Sequence, residues 1–248
     1  MKVKDVLSYL ESLYPPDTAC DFDNVGLLVG DGECGVTAAV VALDCDVNAV
    51  SFAKENGANL IITHHPVILE PIKSVTAGSI VFRLIKEGIS VISMHTNLDV
   101  GDGGVNDALC AALGLTDIKP YTAGDGYLLK SGKTDKHKPD ELALHIKECL
   151  GGAVRYTAGK KDIESVLVCS GSGGSYLDEA ISAGFDAFIT ADVKQHVFVA
   201  AINAGISLFD GGHFCTENVV VKPLCEVLKA RFPDTAFIAF LPDTIKTV

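Results

Sequence analysis

Four of the seven histidines in this 248-residue chain, His64, His65, His95 and His213, stand just past the ends of short strand-like runs. His64 and His65 close the segment Asn59-Leu-Ile-Ile-Thr-His-His-Pro66. Successive side chains on a strand point to opposite faces, so adjacent imidazoles on a regular strand cannot share one metal. Pro66 holds His65 in the extended region. The pair therefore splays toward different neighbours, either one on each metal of a pair or as two hydrogen-bonding caps at a strand end. His213 and Glu217 are four positions apart behind Gly211-Gly212, a spacing that puts both on one face of a helix. Such a pair chelates a metal, and it also occurs on solvated helices. Asp99 opens the loop Asp99-Val-Gly-Asp-Gly-Gly104, where a carboxylate is either a ligand or a turn residue. Taken together, three imidazoles and two carboxylates suit a mixed nitrogen and oxygen site for Zn²⁺, Mn²⁺ or Fe²⁺. Five ligands exceed what one catalytic metal normally takes, so two divalent ions are expected, with a shared water activated as nucleophile.

Other residues stand beside this set. His95 is a candidate general acid or base, or a hydrogen-bonding partner. Ser170, Gly171, Ser172 and Gly173 follow an apolar run and precede a helix-length segment. Backbone N–H groups in such a place hold an anion, or the loop is a plain turn. It has neither Walker nor Rossmann spacing. The acids of Asp21-Phe-Asp-Asn24 face the site or cap a helix, His196 reads as a surface residue near a helix start, and Cys215 lies close to the candidate ligands.

The elements that must position these residues alternate. Strand-like runs cover Ala38–Leu43, Ala58–Thr63, Ile89–Met94, Ser165–Cys169, Asp186–Thr190 and Ile206–Phe209, with helix-length segments such as 47–56 and 176–183 between them. The class is α/β with largely parallel pairing, and near-continuous apolarity implies cover on both faces. Ala53–Thr63 aligns with Ala180–Thr190 at a shift of 127, and Ile85–Ser90 with Ile202–Ser207 at a shift of 117. This predicts a duplicated βαβαβ-like unit and two lobes, 1–120 and 121–248, with the polar stretch 121–139 connecting them. Ligands collect at the carboxyl ends of strands in open α/β sheets, where the four histidines stand.

Composition narrows the partners. At 48% apolar residues the chain has material for a real core. No apolar run approaches the roughly 20 residues of a membrane helix. The N-terminal segment reads as an amphipathic helix and has no apolar signal core, so a cytoplasmic location is expected. Eight cysteines without a C-x-x-C pair read as reduced, mostly buried thiols. A formal charge of −12 with no basic run makes nucleic acid an unlikely partner.

Asp23-Asn-Val-Gly26 with Val29-Gly30, His64-His65-Pro66, His95-Thr-Asn-Leu-Asp99, Ser170-Gly-Ser-Gly-Gly174, Thr190 to His196, and Gly212-His213 with Thr216-Glu217 together resemble the Nif-three-like family of dinuclear-metal proteins. Its members are known as GTP cyclohydrolase 1 type 2 homologues. The resemblance spans nearly the whole chain. It implies two interlocked α/β lobes with a metal cleft between them, a toroidal homohexamer, and His64, His65, Asp99, His213 and Glu217 as ligands of two metals. The chain departs from the family pattern at Ala191, where glycine is usual, and at Gln195, where the first of two histidines would stand. That departure bears on substrate handling and leaves the ligand set intact.

The function expected from these features is a dinuclear metal-dependent hydrolase resembling GTP cyclohydrolase 1 type 2, acting on a small molecule such as a nucleotide or phosphoester. The alternative is a non-catalytic metal-binding or regulatory scaffold in a homohexameric ring.

Overall fold

The computed structural model describes residues 1–242. They divide into two units, Met1–Asp102 with Val221–Pro242, and Gly103–Val220. In chain order the first unit begins with helix α1 (Val3–Leu13), followed by β1 (Gly26–Val29), β2 (Ala38–Ala42), α2 (Val47–Glu55), β3 (Leu60–Thr63), α3 (Ile80–Glu87), β4 (Ser90–Ser93) and α4 (Thr96–Val100). The second unit comprises α5 (Val105–Ala112), β5 (Thr116–Thr122), β6 (Leu128–His137), α6 (Pro139–Leu150), β7 (Arg155–Thr157), β8 (Ile163–Val168), α7 (Leu177–Ser182), β9 (Ala187–Thr190), α8 (Gln195–Ala204), β10 (Ser207–Asp210) and α9 (His213–Glu217). The chain then returns to the first unit with α10 (Val221–Arg231) and β11 (Ala236–Phe240).

Local chemistry accounts for the elements. Asp46 caps α2 by accepting hydrogen bonds from the backbone N–H groups of Asn48 and Ala49, and Ser79 caps α3 through Phe82 N–H. Gly88 ends α3 at φ 66°, a left-handed conformation that glycine adopts without steric cost. In β2, β3 and β4 every residue is buried, as expected for apolar strands covered on both faces. Val40, Ala42, Ile61 and Val91 pack on one face against Val50, Ala53, Val81 and Leu84 of α2 and α3. Shortening a fully buried residue such as Ile61 to alanine costs about 2–5 kcal/mol. In the second unit Val166, Val168 and Ile189 enter one core cluster, while Leu167 and Phe188, their alternating neighbours, enter another.

The two sheets repeat one another. Their strand orders are β1-β4-β3-β2-β11 and β5-β6-β8-β9-β10-β7. In the first, β2, β3 and β4 pair in parallel with Ala39 opposite Leu60 and Leu60 opposite Ser90. In the second, β8, β9 and β10 do so with Val166 opposite Ala187 and Ala187 opposite Ser207. These are the same partners displaced by the sequence shifts of 127 and 117. An antiparallel strand flanks each trio, β1 against β4 and β7 against β10. The shift of 117 also carries α4 onto α9, both five residues long. The α/β class and the duplication are thus visible within each unit.

Two expectations change. Pairing is parallel in the centre and antiparallel at β1, β5, β6 and β7, because β5 and β6 join as a hairpin. The polar stretch 121–139 is that hairpin and the start of α6, where a connection between lobes was expected. The boundary also lies elsewhere than at residue 120. The first segment ends at Asp102, and α10 and β11 belong to the first unit, where β11 pairs in parallel with β2. Among the described residues, no helix is long and apolar enough to cross a membrane.

Candidate metal centre

In the first unit the site forms where β3 and β4 end. His64 and His65 N–H both donate to the end of β2, to Ala42 O at 3.3 Å and Leu43 O at 3.0 Å. Consecutive N–H groups of a regular strand point to opposite sides, so the pleat is lost here, and the two rings lie together with centroids 4.9 Å apart. Thr63 Oγ1, which donates to His65 O at 2.8 Å, pins the bend from inside.

Each ring is fixed through the same nitrogen. His64 Nδ1 lies 3.0 Å from Met94 O, His65 Nδ1 2.7 Å from Asp44 Oδ1, and His95 Nδ1 2.8 Å from Asp23 Oδ1. A carbonyl or carboxylate only accepts, so each Nδ1 carries a proton, and in the neutral ring Nε2 keeps its lone pair. This is the arrangement by which metal-binding histidines are oriented. Donor nitrogens of His64, His65 and His95 fall within 4.8 Å of one another, a cluster able to hold a metal ion. Asp99, buried on α4, brings Oδ1 to 3.5 Å from His64 Nε2.

Electrostatics support the same orientation. Burial acts to raise the Asp23 carboxyl, yet hydrogen bonds from His95 and from the hydroxyl and N–H of Thr96 outweigh it and hold the group well below the usual carboxylate range. Asp23 is therefore an anion that keeps Nδ1–H of His95 facing it. Asn97 completes the turn by accepting from His95 N–H at 3.0 Å and donating to Tyr14 O at 2.8 Å.

In the second unit α9 carries His213 and Glu217 on one face, with Nε2 of His213 3.0 Å from Glu217 Oε2. Its Nδ1 lies 2.7 Å from Asp192 Oδ2, so this imidazole is oriented as the other three are. Asp192 holds φ 51°, a left-handed conformation uncommon outside glycine and retained here just past β9. Glu217 is buried. Within each unit the expected ligands, His64, His65 and Asp99 in the first and His213 with Glu217 in the second, combine imidazole nitrogen with carboxylate oxygen, a donor set that fits a divalent ion of mixed preference.

The glycine and serine loop, expected either to hold an anion or to be a plain turn, uses three of its N–H groups inside the protein. Ser170 N–H donates to Asn106 Oδ1 at 2.8 Å, Gly171 N–H to Thr216 Oγ1 at 3.2 Å, and Gly173 N–H to Thr190 Oγ1 at 3.0 Å. These three donors of the proposed anion cradle are already committed to protein acceptors. The loop instead packs on α9: at Gly171, with φ 58°, an added Cβ would collide with Glu217 Oε1. His196 is exposed at the start of α8. Cys110, Cys169 and Cys225 are buried thiols as expected, whereas Cys149 is exposed.

Sequence reasoning missed Asp44 and Asp192, which orient His65 and His213. Their signal was position. Each stands one or two residues past the end of an apolar strand, where a carboxylate meets an imidazole from the next strand.

Comparison with known proteins agrees with this geometry. The sequence profile of the Duf34/NIF3 (NGG1p interacting factor 3) family matches residues 1–244. A Clostridium perfringens protein called GTP cyclohydrolase 1 type 2 homolog is 34% identical over 250 residues, covering 96% of this chain and 95% of its own. One of the same name from Clostridium acetobutylicum is 36% identical over 239 residues, covering 89% and 88%. The crystal structure of a Staphylococcus aureus hypothetical protein superposes with a TM-score of 0.92 at 29% identity, covering 100% of this chain and 99% of that one. A match along nearly the full length in sequence and fold means that this chain belongs to the Duf34/NIF3 family.

Proposed function

We propose that this chain is a metal-dependent hydrolase of small molecules, with His64, His65, Asp99, His213 and Glu217 as ligands of two divalent ions and His95 as the proton-transferring group. The observation that carries the reading is the common orientation of four imidazoles, each held through Nδ1 by an acceptor, with Nε2 of His213 facing the carboxylate of Glu217 at 3.0 Å. A bound divalent ion of this type lowers the pKa of a coordinated water and polarises the bond to be cleaved. The protein's own part is positional. Asp23 holds His95 through Nδ1, with the ring half-buried among the other rings and Nε2 placed to exchange a proton with a water and a leaving group. Asp44 and Asp192 fix the rings of His65 and His213 in the same sense. The relatives' name makes a purine nucleotide the first substrate class to try, with phosphoesters second. From the resemblance we also propose a homohexameric ring, for which the mass in solution is the direct measurement.

The test measures metal content and turnover on the same preparations: the parent chain and its His64→Ala, Glu217→Ala and His95→Ala variants. The reading expects about two ions per parent chain, loss of metal in the first two variants, and metal retained without turnover in the third. A parent chain that stays metal-free after incubation with Zn²⁺, Mn²⁺ or Fe²⁺ overturns it. A loaded chain inert to nucleotides and phosphoesters supports a metal-binding scaffold instead.

A further inference from the structure

The carboxylate of Glu217 sits between two neighbours. Its Oε2 faces His213 Nε2 at 3.0 Å, and its Oε1 lies against the backbone of Gly171, where a side chain would collide with it. A Cβ at Gly171 would also stand 3.5 Å from His213 Cε1, so one stretch of backbone abuts both side chains. That backbone is fixed from several directions. Gly171 N–H donates to Thr216 Oγ1 at 3.2 Å, and Gly171 O accepts from Thr190 Oγ1 at 3.1 Å and from Ala191 N–H at 2.8 Å. The preceding peptide is held at Ser170, whose N–H donates to Asn106 Oδ1 at 2.8 Å. Asn106 is the second residue of α5 and wholly shielded from solvent. A buried amide side chain is costly unless it is hydrogen-bonded, and this one directs its oxygen at the loop. Its neighbour Asp107 fixes the turn: Oδ1 pairs with the Lys130 ammonium of β6 at 3.0 Å, and Oδ2 accepts from Gly103 N–H at 2.8 Å. Lys130 stands opposite Val168, two residues before Ser170, where β6 pairs with β8. The first turn of α5 is thus tied through β6 to the strand that delivers the loop.

We propose that Asn106 is a positioning residue for the metal centre: its amide oxygen holds the Ser170–Gly171 backbone as the wall that sets the Glu217 carboxylate. The proposal rests on the reading of Glu217 as a metal ligand. Asn106 acts through Ser170 and Gly171, which confine Oε1 while His213 faces Oε2. Without the acceptor, Ser170 N–H is left unsatisfied inside the protein, the peptide turns toward another partner, and Glu217 loses the surface that fixes it. Contacts that orient a ligand in this way typically carry about 10–100-fold in metal affinity.

Titration of the full chain with Zn²⁺, followed by calorimetry, is the test. Asn106→Leu keeps the bulk and removes the acceptor, whereas Asn106→Asp keeps an oxygen acceptor in either protonation state. The expected result is an affinity lowered at least about tenfold in Asn106→Leu and restored to within about threefold of the parent in Asn106→Asp. Should Asn106→Leu fail to fold, Asn106→Ala removes the acceptor without adding a branched side chain and is read in the same way. A residue that acts through Glu217 is also non-additive with it. In a Glu217→Gln background, Asn106→Leu should lower the affinity further by no more than about twofold. A general loosening of the fold would lower it by the same factor in both backgrounds. Parent-like affinity in Asn106→Leu, no recovery in Asn106→Asp, or full additivity with Glu217→Gln each overturns the proposal. Unchanged Zn²⁺ binding in Glu217→Gln alone would overturn the ligand assignment and this proposal with it, so the two failures are distinguishable.

Discussion

His95 and Asp23, 72 residues apart in the chain, meet through a 2.8 Å contact between Nδ1 and Oδ1, with the Asp23 side chain wholly shielded from solvent. The contact fixes which imidazole nitrogen carries the proton. In Asp23→Asn the amide can offer N–H to the ring, which favours the tautomer protonated at Nε2 and removes the lone pair from the side that must act. Turnover should fall about 10–100-fold while metal content stays at the parent level. Loss of metal along with turnover would instead make Asp23 part of the scaffold that holds the ligands.

The same carboxylate makes stability depend on pH. Its folded-state pKa lies below its unfolded value, so its contribution is fully present above the ordinary aspartate value of about 4 and is lost as pH falls from there toward the folded value. The difference in melting temperature between the parent and Asp23→Asn should be constant from neutrality down to about pH 5 and shrink below about pH 4. A difference that persists unchanged into acid would show that Asp23 contributes by shape rather than charge.

Asp192 couples backbone strain to the orientation of His213. At φ 51° it occupies a conformation that costs a non-glycine residue about 1–2 kcal/mol, and its side chain holds His213. Asp192→Gly removes both the strain and the carboxylate. The melting temperature should hold or rise slightly while metal affinity falls about 10–100-fold, and titration with Zn²⁺ followed by calorimetry separates the two effects. A parallel fall in stability and affinity would assign Asp192 to the fold alone.

The sequence made the apolar parts of this fold legible and the polar parts much less so. Strands such as Leu60–Thr63 and Ala187–Thr190 are buried along their whole length, so their residues had to be apolar and their repeat survived as a readable spacing. Nearly all of β5 is exposed and β6 alternates irregularly, and neither carries the two-residue period that betrays a half-buried strand. The pairing of β11 with β2 joins Ala236 to Ala38, a contact that no local pattern announces. The proposed ligands stood out as histidines standing just past apolar strands. Asp44 and Asp192 did not, since a carboxylate beside a turn has many ordinary uses.

Gly171 tests what the glycine-rich loop is for. If its glycines serve close packing on α9, Gly171→Ala must push Glu217 aside and also strain a backbone at φ 58°. The backbone term alone is about 1–2 kcal/mol. Because Glu217 Oε1 is the end of a flexible side chain, the chain should fold with a lowered melting temperature and lose metal as Glu217→Ala does. Metal retained at the parent level would instead separate this loop from the positioning of Glu217.

The thiols should react in an order set by burial. Burial pushes the Cys45 and Cys110 thiols up to about 12, so neither supplies thiolate near neutral pH, and Cys110 is also closed to solvent. Cys149 is exposed on α6 and should be modified first by a disulfide reagent at pH 8, with Cys110 reacting only after denaturation. Peptide mapping of the first modified thiol identifies it. Early modification of Cys110 would mean that α5, which carries it against Leu142, Ile146 and Val166, opens far more readily than its packing implies.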